Sequence, residues 1–172
     1  MLALYLLRHA KSSWGHAGLE DRDRPLNRRG REAARRIGIE MRRIGLKPHL
    51  VLCSTAQRTR ETLDLILPAL ERPPRIEFDE ALYLADPPEL RARLSVVSET
   101  SVLLIGHNPG IGDLASGLAG RGDPRDMARL AERYPTGTLT ALRFDARSWA
   151  EIADGDGQLL LHIRPRELAE PD

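Results

Sequence analysis

Short apolar runs recur along this chain, each bounded by charged or turn-forming residues. The first run, residues 2–7, is almost wholly apolar and stops at Arg8, which is typical of a strand buried on both faces of a sheet. Further runs predict strands at 50–53, 75–78, 102–105, 138–144 and 159–163.

Helical periodicity fills much of the sequence between these runs. Apolar positions spaced by three and four residues predict a helix over 28–44 that stops before Gly45. Further helices are predicted from caps at Ser54 and Thr55 to about residue 70, from Pro87 to about residue 97, and over 111–118. Alternating strands and helices predict an α/β protein, a three-layer α/β/α sandwich with a mainly parallel sheet.

Length and composition fit one ordinary globular domain. Of the 172 residues, 41% are hydrophobic and 30% are charged, which leaves enough apolar side chains for a core. We expect a single domain over residues 1–165 and a tail over 166–172. The formal net charge of +1 gives no overall field that would attract nucleic acid or an anionic membrane. An anion is therefore expected to bind only at a local cluster of cations.

The single cysteine, Cys53, excludes an internal disulfide and is expected to pack in the core. No secretory leader pattern opens the chain and no apolar run has membrane-spanning length, so a cytoplasmic location is expected. The histidines His16, His49 and His162 lack metal-ligand spacing and are expected in loops or at the surface. The sequence predicts no metal and no cofactor.

Charged residues follow three of the predicted strands. Arg8 and His9 end the first strand, Arg58 lies in the first turn of the helix after the second, and His107 follows the fourth. Ligands of open α/β sheets bind outside the carboxyl ends of the strands. Two guanidiniums and two imidazoles meeting there would suit a phosphoryl group, with His9 as nucleophile and the others neutralising charge in the transition state.

Several residues near these strand ends also have a simpler, structural interpretation. Arg58 could point to solvent or pair with Glu61 three residues along its helix. Ser54 fits a helix cap better than a nucleophile. Trp14, in the loop after His9, is either a packing residue or a pocket wall, and its position favours the pocket.

Four segments in order resemble the histidine phosphatase (phosphoglycerate mutase-like) superfamily and its small SixA-like phosphohistidine phosphatase branch. They are Arg8-His9-Ala10, with alanine where the signature has glycine, and the segments 23–30, 54–62 and 106–110. The resemblance covers nearly the whole chain. It implies a phosphoglycerate mutase-like fold, a phosphohistidine intermediate on His9, and phosphate contacts from Arg8, Arg58 and His107, to which we add Asn108.

The usual general acid of this superfamily is missing. Larger members carry a glutamate two residues after a leucine, and aligning that pattern on Leu82 places Leu84 at the acid position. Glu80 is our first candidate for a proton donor, with Asp79 and Asp86 as alternatives. The imidazole of a protonated phosphohistidine leaves in its neutral form without such a donor, whereas an alkoxide leaving group would need one.

The sequence therefore predicts a phosphatase that acts on a phosphorylated protein, in particular on phosphohistidine. The alternatives are a phosphatase of small phosphate esters and a catalytically weak phosphoprotein-binding module. The arginine-rich stretch 28–43 is expected to be a solvated helix face rather than a nucleic-acid site. The glycine spacing at 110–115 spells a dinucleotide-binding turn, but it does not follow the first strand as that fold requires.

Overall fold

The computed structural model describes residues 1–170, which form a seven-stranded sheet flanked by five helices. The strands are β1 Leu2–Arg8, β2 Leu50–Ser54, β3 Arg75–Asp79, β4 Ser101–Gly106, β5 Ala119–Gly122, β6 Leu139–Phe144 and β7 Gly157–Ile163. The helices are α1 Arg28–Arg43, α2 Gln57–Ile66, α3 Pro87–Ser95, α4 Gly110–Leu118 and α5 Pro124–Glu132.

The strand order is β3-β2-β4-β1-β6-β7-β5. The neighbours β3, β2, β4 and β1 are parallel, as are β7 and β5, whereas β6 runs antiparallel to both β1 and β7. The prediction of a mainly parallel sheet is confirmed. Since β2, β4 and β1 are adjacent and parallel, their carboxyl ends meet at one edge of the sheet.

Both faces of the sheet are buried, as the near-continuous apolar runs require. Along β1, Leu4 and Leu6 belong to the core beneath α3 and α4, while Leu7 belongs to the core beneath α1 and α2. The same alternation in β4 puts Leu104 on the first face and Ile105 on the second. The fold is the predicted three-layer α/β/α sandwich.

The sequence pattern missed β5 and α5. The four residues of β5 are half-buried or exposed and two are glycines, so this edge strand has no apolar run to mark it. In α5 only Leu130 is buried, and the helix is capped instead by Asp123, whose side chain accepts from the backbone N–H groups of Arg125 and Asp126.

The region beyond β7 begins with a 3₁₀ turn at Pro165–Glu167, next to the buried Arg164. Arg164 donates to the carbonyls of Arg129 and Arg133, which anchors the start of the predicted tail on α5. Residues 171 and 172 of that tail lie outside the described part. Within residues 1–170, the helices are all too short or too polar to cross a membrane.

Candidate active site

The four residues predicted for phosphate chemistry come together at the carboxyl edge of the sheet. Arg8 pairs with Gly106 across β1 and β4, and the backbone N–H of His9 donates to the Gly106 carbonyl at 3.1 Å. This register places His9 beside His107, with ring centroids 5.4 Å apart. Arg58, in the first turn of α2, reaches both rings.

His9 is held in one tautomer. Its Nδ1 lies 2.7 Å from the carbonyl oxygen of Ala10, which can only accept, so Nδ1 carries the proton and Nε2 keeps its lone pair. The Ala10 backbone is fixed in turn, because its N–H donates to the Thr62 hydroxyl of α2 at 3.0 Å. The backbone φ of Ala10 is not positive, so alanine in place of the signature's glycine brings no backbone strain.

Arg58 organises the centre of the site. Its Nε donates to Nε2 of His9 and one Nη to Nδ1 of His107, both at 3.3 Å. The guanidinium also donates to the Asp21 backbone carbonyl at 2.7 Å and pairs with the Asp21 carboxylate at 3.0 Å. Glu61 instead bonds Arg31 of α1, which excludes the expected Arg58–Glu61 alternative.

His107 is oriented from its far side by Ser54. Because an arginine N–H faces Nδ1, that nitrogen must accept, and the proton of the ring lies on Nε2, 2.7 Å from the Ser54 hydroxyl. Ser54 also accepts from the N–H of Ala56 at 3.4 Å, but it is not the N-cap of α2, which is Ala56. The cap predicted from the sequence is thus mainly a support for His107.

Arg8 and Asn108 meet at one backbone carbonyl. One Nη of Arg8 and Nδ2 of Asn108 both donate to the carbonyl of Tyr134 at 2.9 Å, and the Asn108 Oδ1 accepts from the N–H of Gly112 at 3.2 Å. The buried Nε of Arg8 has no partner within the described residues. A buried donor without a partner is costly, which suits a site made to hold an anion.

These side chains line a cleft of about 450 Å³. The other lining residues come mainly from the loop after β1 and from the segments before α3 and β6: Lys11, Ser12, Trp14, Asp21, Arg24, Leu84 and Thr136. The described residues contain no group of three or more His, Cys, Asp and Glu side chains arranged to hold a metal ion. The cleft is cationic at its base and carries large apolar side chains at its mouth.

Burial sets the charge state of the cleft. It lowers the pKa of His9 to about 3, with neighbouring His107 and Arg58 adding to the effect, and likewise lowers the pKa of His107 to about 3, with Arg58 the next cause. Burial would raise the pKa of Asp21, but hydrogen bonds from Tyr83 and Arg58 lower it to about 2. Both imidazoles are therefore neutral near neutral pH, and Asp21 is a carboxylate.

Comparison with known proteins places the chain in a family. The model of the histidine phosphatase superfamily (branch 1) matches residues 4–83. An uncharacterized protein of Mycobacterium leprae is 34% identical over 93% of this chain and 100% of its own length. An uncharacterized protein of Mycobacterium tuberculosis is 35% identical, again over 93% of this chain and 100% of its own length. The chain belongs to the histidine phosphatase superfamily.

Within this superfamily the chain is similar to SixA structures. The proposed phosphohistidine phosphatase SixA of Agrobacterium tumefaciens superposes with a TM-score of 0.81 at 28% identity, over 95% of this chain and 98% of the other. The corresponding protein of Nakamurella multipartitia gives 0.78 at 30% identity, over 95% and 96%. This histidine phosphatase is thus a phosphatase of the SixA-like branch.

The predicted proton donor of this phosphatase does not lie in the cleft. Glu80 begins a 3₁₀ turn after β3, and its carboxylate binds Arg22 and accepts from the Thr55 hydroxyl. Among the described residues, it is not one that lines the cleft, whereas Leu84 is. The alternatives are also occupied elsewhere, since Asp79 pairs with Arg93 and Asp86 caps α3.

Sequence reasoning missed Asp21 and Tyr83. The hydroxyl of Tyr83 donates to the Asp21 carboxylate, and its ring meets His107 edge-on at 5.3 Å between centroids. Both residues lie in segments without periodicity, and the only signal was the charge of Asp21 next to the segment 23–30. Trp14, by contrast, lines the cleft as its position after His9 suggested.

Proposed function

We propose that this protein is a protein phosphohistidine phosphatase in which His9 is transiently phosphorylated. The observation that carries the proposal is the fixed tautomer of His9, whose Nδ1–H is held by the Ala10 carbonyl while Nε2 remains unprotonated. Nε2 attacks phosphorus, and a P–N bond to the enzyme forms as the bond to the leaving group breaks. The Ala10 carbonyl then supports the positive charge that develops on the ring.

The cationic base of the cleft stabilises the transferred group. Arg8, Arg58 and His107 line the same cleft as His9 and come from three segments. The two guanidiniums are donors fixed in advance, and His107 donates once it is protonated. Donors around the equatorial oxygens supply most of what phosphoryl transfer needs. Asn108 is a further candidate contact, although its amide also holds the Tyr134 carbonyl. Water then attacks the phosphoenzyme, and the P–N bond breaks as its electron pair returns to Nε2 of His9. Phosphate leaves as H2PO4⁻ with both protons of that water and can then release one to solvent.

The leaving group follows from the acids present. Among the described residues that line the cleft, Asp21 is the one carboxyl group, and its pKa of about 2 makes it a poor proton donor near neutral pH. A protonated imidazole needs no such donor because it departs neutral, whereas an alkoxide does. This supports phosphohistidine over alkyl phosphate esters as the substrate.

Phosphoenzyme trapping tests the mechanism. The wild type, His9→Ala and the exposed-loop control His16→Ala are mixed with a ³²P-phosphohistidine protein and quenched rapidly. We expect acid-labile label on the wild type and on the control, no label on His9→Ala, and a loss of turnover in that variant of about a thousandfold or more.

Three results would overturn the proposal. Turnover by His9→Ala at the wild-type rate would show that another group is the nucleophile. If the wild type binds the phosphohistidine protein but releases no phosphate, and also fails to hydrolyse an aryl phosphate, whose leaving group needs no acid, the protein is a binding module. Faster turnover of alkyl esters than of phosphohistidine would favour a small phosphate ester as substrate.

A further inference from the structure

The mouth of the cleft carries two large apolar side chains in solvent. Trp14 is 81% exposed and Leu84 is 55% exposed, and both line the same cleft as His9 and Arg58. Neither belongs to the hydrophobic cores of the described residues, so folding gives no reason for an apolar side chain at either position.

Trp14 is held in place from one side. The guanidinium of Arg24 lies over its ring at 3.6 Å, and Arg24 is itself fixed by the Ser12 hydroxyl at 2.8 Å and by two bonds to the Asp21 carboxylate. Stacking uses one face of the indole, and the high exposure leaves the opposite face to solvent. The ring is therefore a platform positioned before any ligand binds.

The Arg24–Asp21 pair also connects this platform to the catalytic residues. Asp21 accepts from Arg24 through one carboxylate oxygen and from Arg58 through the other, and Arg58 in turn reaches Nε2 of His9. The position of Trp14 is thus tied by direct contacts to the atom that attacks phosphorus.

Leu84 has a strained backbone at the same mouth. Its φ of 52° makes it the one non-glycine residue with positive φ in the described part of the chain. A bulky side chain in this conformation is unfavourable and persists where the surroundings impose it, commonly at functional sites. The strain holds an apolar group where the superfamily pattern places a carboxylic acid.

We propose that Trp14 and Leu84 form a subsite for the organic part of the leaving group, in which the open face of Trp14 stacks on a planar heteroaromatic ring. The cleft, at about 450 Å³, has room for more than a phosphoryl group. The proposal rests on the proposed function, under which the stacked ring is the imidazole of the phosphohistidine substrate. The subsite binds the ring by contact and stacking, while the cationic base binds the phosphoryl group.

Three substrates with the same scissile P–N bond test the subsite. Phosphoramidate has no ring, free phosphohistidine has the ring alone, and a phosphohistidine peptide has the ring and its flanking chain. For Trp14→Ala we expect KM to rise roughly five- to tenfold for both ring-containing substrates with little change in kcat, and no change for phosphoramidate. Trp14→Phe should restore most of the loss, and Leu84→Ala should show a smaller rise of the same kind.

The controls separate this proposal from the mechanism. His16→Ala, in the same loop and exposed, should behave as the wild type with all three substrates. Turnover of phosphoramidate through labelled His9 reports on the mechanism without involving the ring. An unchanged KM for the ring-containing substrates in Trp14→Ala, a rise for the peptide alone, or an equal rise for phosphoramidate would each overturn the subsite.

Discussion

Each ring nitrogen of His9 and His107 has a fixed hydrogen-bond partner. These partners decide which nitrogen carries the proton and which keeps its lone pair for chemistry. In His9 the Nδ1–H donates to the Ala10 carbonyl, which leaves the unprotonated Nε2 as the nucleophile. In His107 the Nε2–H donates to the Ser54 hydroxyl, which leaves Nδ1 facing Arg58 as an acceptor. A phosphoryl oxygen is also an acceptor, so His107 has to gain a proton before it can donate to one.

We therefore predict that an oxyanion binds together with a proton. The pKa of His107 in the free protein is about 3, and a dianion next to Nδ1 should raise it strongly. Titration calorimetry with tungstate at pH 7, in buffers of different ionisation enthalpy, should show net proton uptake. The uptake should persist in His9→Asn and be lost in His107→Asn.

Equal binding heats in all buffers for the wild type would contradict this assignment. Uptake that disappears in His9→Asn rather than in His107→Asn would transfer the proton to the other imidazole. Tungstate is the suitable probe because, unlike phosphate, it carries no proton of its own near neutrality. Binding too weak to measure in His107→Asn can be followed at higher concentrations through the shift in Tm.

At the level of elements, two helix starts hold the site loops by close backbone contact. A Cβ on Gly30, in the first turn of α1, would lie 2.0 Å from the carbonyl oxygen of Lys11 in the loop after His9. A Cβ on Gly110, at the start of α4, would lie 1.9 Å from the carbonyl oxygen of Ala85, next to Leu84. These contacts involve backbone atoms, so a side chain could fit only if the loop moved.

Gly30→Ala should therefore damage both stability and activity. We expect a loss of about 1–3 kcal/mol in the free energy of unfolding, since a methyl group is forced into a filled space, and a lower kcat because the loop carrying Lys11 and Ser12 shifts. Urea unfolding and steady-state kinetics measure the two effects.

The matched control is Gly117→Ala in α4, where an added Cβ would have nothing within 4 Å. That variant should gain about 0.5–1 kcal/mol from helix propensity and keep its activity. If Gly30→Ala is as stable as Gly117→Ala, the close approach to Lys11 does not constrain the loop.

At the level of the whole molecule, the sequence predicted what periodicity and parallel topology control. The buried strands β1, β2 and β4 are continuous apolar runs. Their parallel order, with α2 beginning shortly after β2, brings Arg8, Arg58 and His107 together. Contacts between loops have no such signal, which is why Asp21 and Tyr83 were missed and why Glu80, which does not line the cleft, was ranked first as a proton donor. His162 was expected near the surface, but it is buried in β7 against Thr140.

Burying three histidines in the neutral form should make the stability of the fold depend on pH. Burial lowers the pKa of His9 and His107 to about 3 and of His162 to about 4, whereas an unfolded histidine has a pKa of about 6.5. Between these values the unfolded chain binds protons that the folded chain does not, so the free energy of unfolding falls as pH drops below about 6.5. The depressed pKa of Asp21 acts only below about pH 4 and does not enter this window.

Each histidine should contribute at most about 1.4 kcal/mol per pH unit. Urea unfolding between about pH 7 and 5 should show this slope in the wild type. The slope should be smaller in His107→Asn and unchanged in the exposed control His49→Asn. A flat profile in the wild type would mean that the buried rings are charged in the folded protein.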